Sequence, residues 1–226
     1  MILLSMDASA KSAAVAVSDG DMALAENFIN NGYTHSETLL PLVAETLEKA
    51  GKTIGEVEAF AVTNGPGSFT GLRIGCATVK GLAGNRPCYP VPTLLALAYS
   101  AGEDGLVIPM MDARRQQTYT AVYRVTNGKV EQLIPDRAIA VAKLEEEMAE
   151  YLAAGERIVV PGDGGYLLSE EMKAKVFFPA QTLITATGVA LAAQEIHSVP
   201  AGELGLRYLR LSQAEREKKE KKGVSL

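Results

Sequence analysis

Gly65-Pro66-Gly67-Ser68-Phe69-Thr70-Gly71-Leu72-Arg73-Ile74-Gly75 stands between an apolar run at 57–63 and a stretch of helical spacing at 68–84. A strand, a glycine-rich turn and a helix, in that order, form a unit of an α/β fold. Glycine permits the left-handed backbone of such a turn and lets another chain or a ligand come close. The N–H groups at the helix start offer a place for an anion. Spacing alone leaves two readings open: a tight turn that packs the helix on its own sheet, or a phosphate loop. A dinucleotide fingerprint would need glycine at 70, where threonine stands, and no Gly-Lys-Ser/Thr follows. The helix carries Gly71, Gly75, Ala77, Gly81 and Ala83. Each interior glycine costs about 0.8–1 kcal/mol relative to alanine. Such a helix makes sense when a neighbour packs on its backbone, inside the protein or across a subunit interface.

Upstream, the apolar runs at 2–6, 13–17 and 22–28 read as a three-stranded meander, with Ser18-Asp19-Gly20-Asp21 as a turn. Residues 34–50 read as a helix. Thr34 and Glu37 have capping-box spacing, Leu39, Leu40, Val43, Leu47 and Ala50 lie on one side, and Gly51 is the stop. Pro41 either kinks this helix or lies in the first turn of one that starts near 38. Downstream come a strand at 87–91 and a helix at 94–101. After Gly102-Glu103-Asp104-Gly105 the pattern restarts. Strands are expected at 106–111 and 118–125, with a return at 129–134 through the hairpin turn Asn127-Gly128. A helix at 141–153, a strand at 157–161, Gly162-Asp163-Gly164-Gly165 and a helix at 187–197 follow. The expected fold is therefore α/β with two similar lobes, each a mixed sheet flanked by helices. The first lobe spans 1–102 and the second 103–203, and 204–226 returns to the first.

The chain has 226 residues, with 22 Lys+Arg, 27 Asp+Glu, two His and two Cys, and a net charge of −5. That balance disfavours a stand-alone nucleic-acid binder, which needs clustered basic residues. From 214 to 222, however, five basic residues face three acidic ones. This tail is the likeliest place for any contact with RNA. His35 and His197 are far apart, so no HxxxH or HExxH pair exists and no metal site is expected. Cys76 and Cys88 lack a nearby His, and no nucleophile elbow is present. The opening residues lack a basic region, Asp7 interrupts their apolar run, and no stretch is long enough to span a membrane. Free thiols without an export signal point to the cytoplasm.

Asp7 ends the first strand and precedes Ala8-Ser9. Asp112 holds the matching place in the second half. Each reads either as a turn-forming residue or as one of two carboxylates facing a cleft that suits ATP–magnesium. Gly65, Gly67 and Ser68 from one half, with Gly162, Asp163 and Gly164 from the other, would line that cleft beside Asp7, Ser9 and Asp112.

The block from Gly65 to Gly75 resembles the signature of the bacterial TsaB (YeaZ) family. Asp7-Ala8-Ser9 is similar to that family's Asp-Thr-Ser, with alanine in place of the usual threonine. His35-Ser-Glu-Thr-Leu-Leu-Pro41, Asp112-Ala-Arg-Arg115 with Tyr119, Gly162-Asp-Gly164 and Tyr208-Leu-Arg-Leu-Ser-Gln-Ala-Glu215 also match, in the expected order. The resemblance implies an ASKHA (actin- and sugar-kinase-like) fold. It also implies a non-catalytic scaffold or activator role in making N6-threonylcarbamoyladenosine at adenosine 37 of ANN-decoding tRNAs. The implied partners are the catalytic paralogue TsaD and the ATPase TsaE, with a homodimer when the chain is alone and tRNA reached through the complex. The region of 92–99, where TsaD has its metal-binding histidines, contains none here. The resemblance places the partner interface on His35, Leu39, Leu40, Val43, Leu47, Gly71, Arg73, Gly75 and Val79. The cleft would then be vestigial, needing no cofactor, with ATP or ADP–Mg held weakly or shared at the joint. The rival expectation is an ASKHA-type ATPase or small-molecule kinase.

Overall fold

The computed structural model describes residues 1–30 and 34–210. The first half runs β1 (Ile2–Asp7), β2 (Ala13–Asp19), β3 (Met22–Ile29), α1 (His35–Lys49), β4 (Ala59–Gly65), α2 (Phe69–Ala83), β5 (Cys88–Pro92) and α3 (Thr93–Ala101). The second runs β6 (Gly105–Val107), β7 (Met110–Asp112), β8 (Gln117–Thr126), β9 (Lys129–Ala140), α4 (Val141–Ala153), β10 (Ile158–Val159), a short α5 (Glu170–Lys173) and α6 (Ala186–Ala193).

The first sheet has the order β3-β2-β1-β4-β5, with β1 antiparallel to β2 and parallel to β4. The expected meander is present. β1 lies in the middle and is buried along nearly its whole length, as a central apolar run should be. In the second sheet β6 and β7 both pair with β8 in one continuous register, Leu106 opposite Arg124 and Met110 opposite Thr120. They are one strand interrupted at Ile108-Pro109, since proline cannot donate to a ladder. The strand expected at 106–111 is thus split, and the return strand at 129 continues to Ala140. Counting β6 and β7 as one, the sheets correspond strand for strand, and the bridge of Val159 to Phe177 stands where β5 pairs with β4. The internal duplication is real, and this is the two-lobed α/β architecture that the resemblance implies.

The helix from His35 places Pro41 well inside it, which excludes a start near 38. α6 ends at Ala193, four residues short of the expected end. Outer helices α1 and α2 cover one face of the first sheet through Leu39, Val43, Leu47, Cys76 and Val79, packed with Leu4, Met6, Phe60 and Val62. α4 covers the second sheet through Leu144 and Met148. Between the sheets lie α3 and α6. Gly188 lets them touch, because a Cβ there would stand 2.2 Å from Ser100 Oγ and 3.0 Å from the Ala96 carbonyl oxygen.

α6 corrects the expected lobe boundary. It packs on β1, β2 and β4 of the first sheet. The Ser5 hydroxyl donates to the Ala186 carbonyl at 2.7 Å, and Thr187 donates its N–H and hydroxyl to Glu26 at 3.0 and 2.8 Å. The chain re-enters the first lobe at α6, ahead of residue 204. Among the described residues no helix is long and apolar enough to cross a membrane.

Candidate functional site: an interlobe cleft and an exposed helix face

A cleft of about 600 Å³ opens between the lobes, lined by Ser9, Lys11, Ser12, Gly67, Ser68, Asp112, Arg114, Asp163 and Tyr166 among others. Asp7 lies at the end of β1 and is fully buried. Its Oδ1 accepts the Ser9 N–H at 3.0 Å and the Thr63 hydroxyl at 2.6 Å. Among the described residues, its Oδ2 and the buried Ser9 Oγ have no partner. Burial pushes the Asp7 carboxyl up, opposed by those hydrogen bonds and by His35. The folded state therefore holds a proton that the unfolded chain releases at ordinary carboxyl pH, near 4. This contribution to stability is present at low pH and is lost as pH rises through the raised value. Asp7→Asn removes it. Urea unfolding at a series of pH values should show the variant gaining on the parent as pH rises from about 4; a pH-independent difference would refute it.

Asp112 is engaged within the protein. Its Oδ1 accepts the Arg114 N–H at 2.6 Å; its Oδ2 accepts the Tyr166 hydroxyl at 2.9 Å and the Arg114 guanidinium at 3.3 Å. The Asp112 N–H in turn donates to Asp163 Oδ1 at 3.2 Å. Burial, with the Asp112 charge adding to it, pushes the Asp163 carboxyl up. Among the described residues no group of three or more His, Cys, Asp or Glu is placed to hold a metal ion. Burial raises both thiols, Cys76 to about 11, so neither is a thiolate nucleophile.

The glycines of both loops meet the protein's own backbone. A Cβ on Gly65 would lie 2.1 Å from the Arg207 carbonyl oxygen, one on Gly67 2.5 Å from that of Ser9, and one on Gly162 2.1 Å from that of Met110. All three also have φ between 106° and 153°. Gly164 packs over Met110 and donates to its carbonyl at 2.8 Å. The Ser68 side chain caps α2 by accepting the Gly71 N–H at 3.3 Å. The close approaches at Gly65 and Gly67 are to the chain's own backbone, and Gly67 and Ser68 also line the cleft. Ser9, Gly67, Ser68, Asp112 and Asp163 do line the cleft, whereas Asp7 sits beneath it and Gly65, Gly162 and Gly164 are spent on packing. One feature gave no sequence signal: Arg114, Arg115 and Gln116 are consecutively left-handed, with φ of 66°, 57° and 55°. Each costs about 1–2 kcal/mol. The turn is held by Ala113 N–H to Gln117 O at 3.0 Å and Val141 N–H to Gln116 O at 3.0 Å.

The expected interface residues divide. Leu39 (1% exposed), Val43, Leu47, Gly71, Gly75 and Val79 are buried in the first lobe. Gly71 passes over β1's exit, where its Cβ would stand 1.9 Å from the Ala8 carbonyl oxygen, and Gly75 faces Val62. His35 is half-buried, its Nε2 2.8 Å from the Ala10 carbonyl oxygen. The six buried residues build the helix pair and its seat on the sheet, while His35 stays half-open. Leu40 (55% exposed) and Arg73 do face solvent. They belong to two exposed sets: Leu40, Pro41 and Ala44 on α1, and the row Arg73, Ala77 and Gly81 on α2, whose small residues the sequence already marks. Small or apolar groups thus lie on exposed faces of two helices that contact each other. At the end of that row Phe69 stacks on Tyr208 with ring centroids 3.9 Å apart, and Arg73 Nε donates to the Tyr208 hydroxyl at 3.1 Å.

Residues 31–196 match the family model described as TsaD, tRNA N6-adenosine threonylcarbamoyltransferase. The tRNA threonylcarbamoyladenosine biosynthesis protein TsaB of Bacillus subtilis is 34% identical over 153 residues, 66% of this chain and 67% of that protein. The Escherichia coli protein of the same name is 29% identical over 131 residues, 54% of this chain and 57% of that protein. Among solved structures, YeaZ from Pseudomonas aeruginosa superposes with a TM-score of 0.76 at 26% identity, covering 92% of this chain and 99% of that one.

Proposed function

Since this chain belongs to the TsaB (YeaZ) family, we propose that it serves N6-threonylcarbamoyladenosine formation in tRNA as a subunit without catalytic groups of its own. It binds a larger TsaD-type paralogue through the exposed face of α1 and α2, and with it the ATPase TsaE. The product is the modified adenosine 37 of ANN-decoding tRNAs, the tRNA being held by the complex, in the cytoplasm. Alone, the chain pairs with a second copy through the same face. The observation that carries this reading is the exposure of Leu40 and Ala44 on α1 and of Ala77 and Gly81 on α2, small or apolar residues that would let another helix pair approach closely. The charged rim of Glu45, Glu48, Arg73 and Lys80 would set its register. Reconstitution of the modification with and without this chain tests the role; full activity of the paralogue and the ATPase alone would overturn it.

The rival ATPase or kinase reading draws on the cleft. A magnesium nucleotide needs carboxylate oxygens open to the hydrated cation. Asp112 already accepts Arg114 and Tyr166, Asp7 is buried under the cleft floor, and Gly65 and Gly162 are pressed on backbone. These residues do not fit that group, and a nucleotide would reach this chain only weakly, shared at the joint with the partner. Titration of the purified chain with ATP–Mg by calorimetry should show no tight binding and no turnover. Tight binding with hydrolysis would replace the scaffold reading by the enzyme one.

A further inference from the structure

The extended segment at 205–210 crosses between the lobes and touches several elements on its way. Against the first lobe, the Arg207 N–H donates to the Asn64 carbonyl at 2.8 Å, and Asn64 Nδ2 donates to the Gly205 carbonyl at 3.2 Å. Against the second, the Arg207 guanidinium lies 3.2 Å from Asp136 Oδ2 on β9. The Asp136 carboxylate has no exposed side-chain area, and its Oδ1 accepts the Tyr123 hydroxyl at 3.2 Å and Gln132 Nε2 at 3.1 Å. Three residues later, Arg210 donates to the Ala113 carbonyl at 2.8 Å, at the left-handed turn.

Arg207 is the cation paired with this buried carboxylate, and it comes from a distant part of the chain. Arg207 is itself 46% exposed and Asp136 Oδ2 accepts no hydrogen bond among the described residues, so the contact is a charge pairing across the lobes that ties the segment to β9. The next residue is Tyr208. Its ring lies on Phe69, its hydroxyl accepts from Arg73, and it is 39% exposed at the end of the row that continues through Ala77 and Gly81. Arg73 also lies over the Phe69 ring, at 4.6 Å. The fixed point on the second lobe and the aromatic group on the first are therefore one residue apart in the chain.

We propose that residues 205–210 are a clasp through which the second lobe positions the partner-docking face, with Asp136 as the anchor and the Tyr208–Arg73 pair as the group that the TsaD-type paralogue meets. The proposal rests on the reading that α1 and α2 dock that paralogue. Asp136 and Arg207 are positioning residues: they touch no partner and act through Tyr208. The flat ring pair with a fixed guanidinium suits an apolar side chain flanked by a carbonyl or carboxylate acceptor.

The test titrates the full-length chain with the purified paralogue from the same cell, and records the thermal unfolding of each variant alone. Tyr208→Ala is expected to weaken association at least about tenfold, as loss of a central aromatic contact does. Tyr208→Phe keeps the stacked ring and should stay within about threefold of the parent. The pair Asp136→Asn with Arg207→Met removes both charges together, which leaves stability close to the parent's. Its affinity should still fall at least about tenfold, because the clasp has lost its anchor. Parental affinity in Tyr208→Ala, or in a double variant with parental unfolding temperature, overturns the proposal. Should the double variant not fold, Tyr208→Ala alone decides. Gly81→Arg separates the two readings. If it fails to weaken association, the docking face itself is wrong; if it abolishes association while the clasp variants bind normally, only the clasp falls.

Discussion

Gly81→Arg is expected to leave the fold intact and to weaken association with the larger paralogue by at least about 100-fold, or about 2.7 kcal/mol. A Cβ on Gly81 meets nothing within 4 Å, and the residue lies on the exposed side of α2. Replacing an interior helical glycine removes about 0.8–1 kcal/mol of backbone entropy cost, so the free variant should be at least as stable as the parent. In the complex the same side chain would stand where a second helix must approach, and a desolvated charge without a partner is strongly disfavoured. Co-elution and calorimetry with the paralogue measure the loss, and urea unfolding of the free variant checks the fold. Parental affinity would move the partner to another surface.

Gly71→Val, ten residues earlier on the same helix, is expected to yield no stably folded chain. Its Cβ would stand 1.9 Å from the Ala8 carbonyl oxygen and 3.1 Å from the His35 ring. The obstacle is backbone at the exit of β1, which also carries Asp7 and pairs with β2 and β4. Relief would require α2 to lift off the sheet and give up the packing of Cys76, Val79 and Ala83. A loss beyond about 4–5 kcal/mol takes most of the stability of an ordinary domain. Soluble yield and the urea midpoint read this directly; a parental midpoint would mean that α2 can shift at little cost. Gly75→Arg and Leu39→Asp strike the same interior, so they would report folding rather than partner binding.

The contrast between Gly71 and Gly81 shows how much of the site was legible. The sequence marks α2 as a helix that something approaches closely, and that is correct. It does not say which glycine meets the chain's own backbone. The signal was nevertheless present: at 100° per residue, Gly71, Leu72, Gly75, Cys76 and Val79 fall within an arc of about 140°, while Gly81 lies about 150° from the middle of that arc. On α1 the apolar stripe of Leu39, Val43 and Leu47 looks equally suited to a partner and to a sheet, and only the packing on Leu4 and Val15 assigns it to the sheet. Asp7 and Asp112 were found at equivalent strand ends because the duplication repeats the strand and turn pattern. That Asp112 is consumed by Arg114 and Tyr166 depends on a turn of three left-handed residues, for which arginine and glutamine carry no preference. The lobe boundary was misplaced because α6, ATGVALAA, has no polar face. A short helix that is apolar all round belongs between layers, and that layer here lies on the other lobe.

The position of α6 also governs the order in which this chain can be built. The hydrogen bond from Ser5 to Ala186 spans 181 residues, and Ala14 and Ala16 wait for the same helix to cover them. During synthesis the first sheet emerges with one face roofed by α1 and α2 and the β4–β5 side of the other covered by α3, while its β1–β2 side stays bare until α6 has been made. Contacts of such long sequence separation form late and slowly. The lobes cannot mature one after the other, and premature termination anywhere before α6 leaves a sticky half-sandwich for chaperones and proteases to clear.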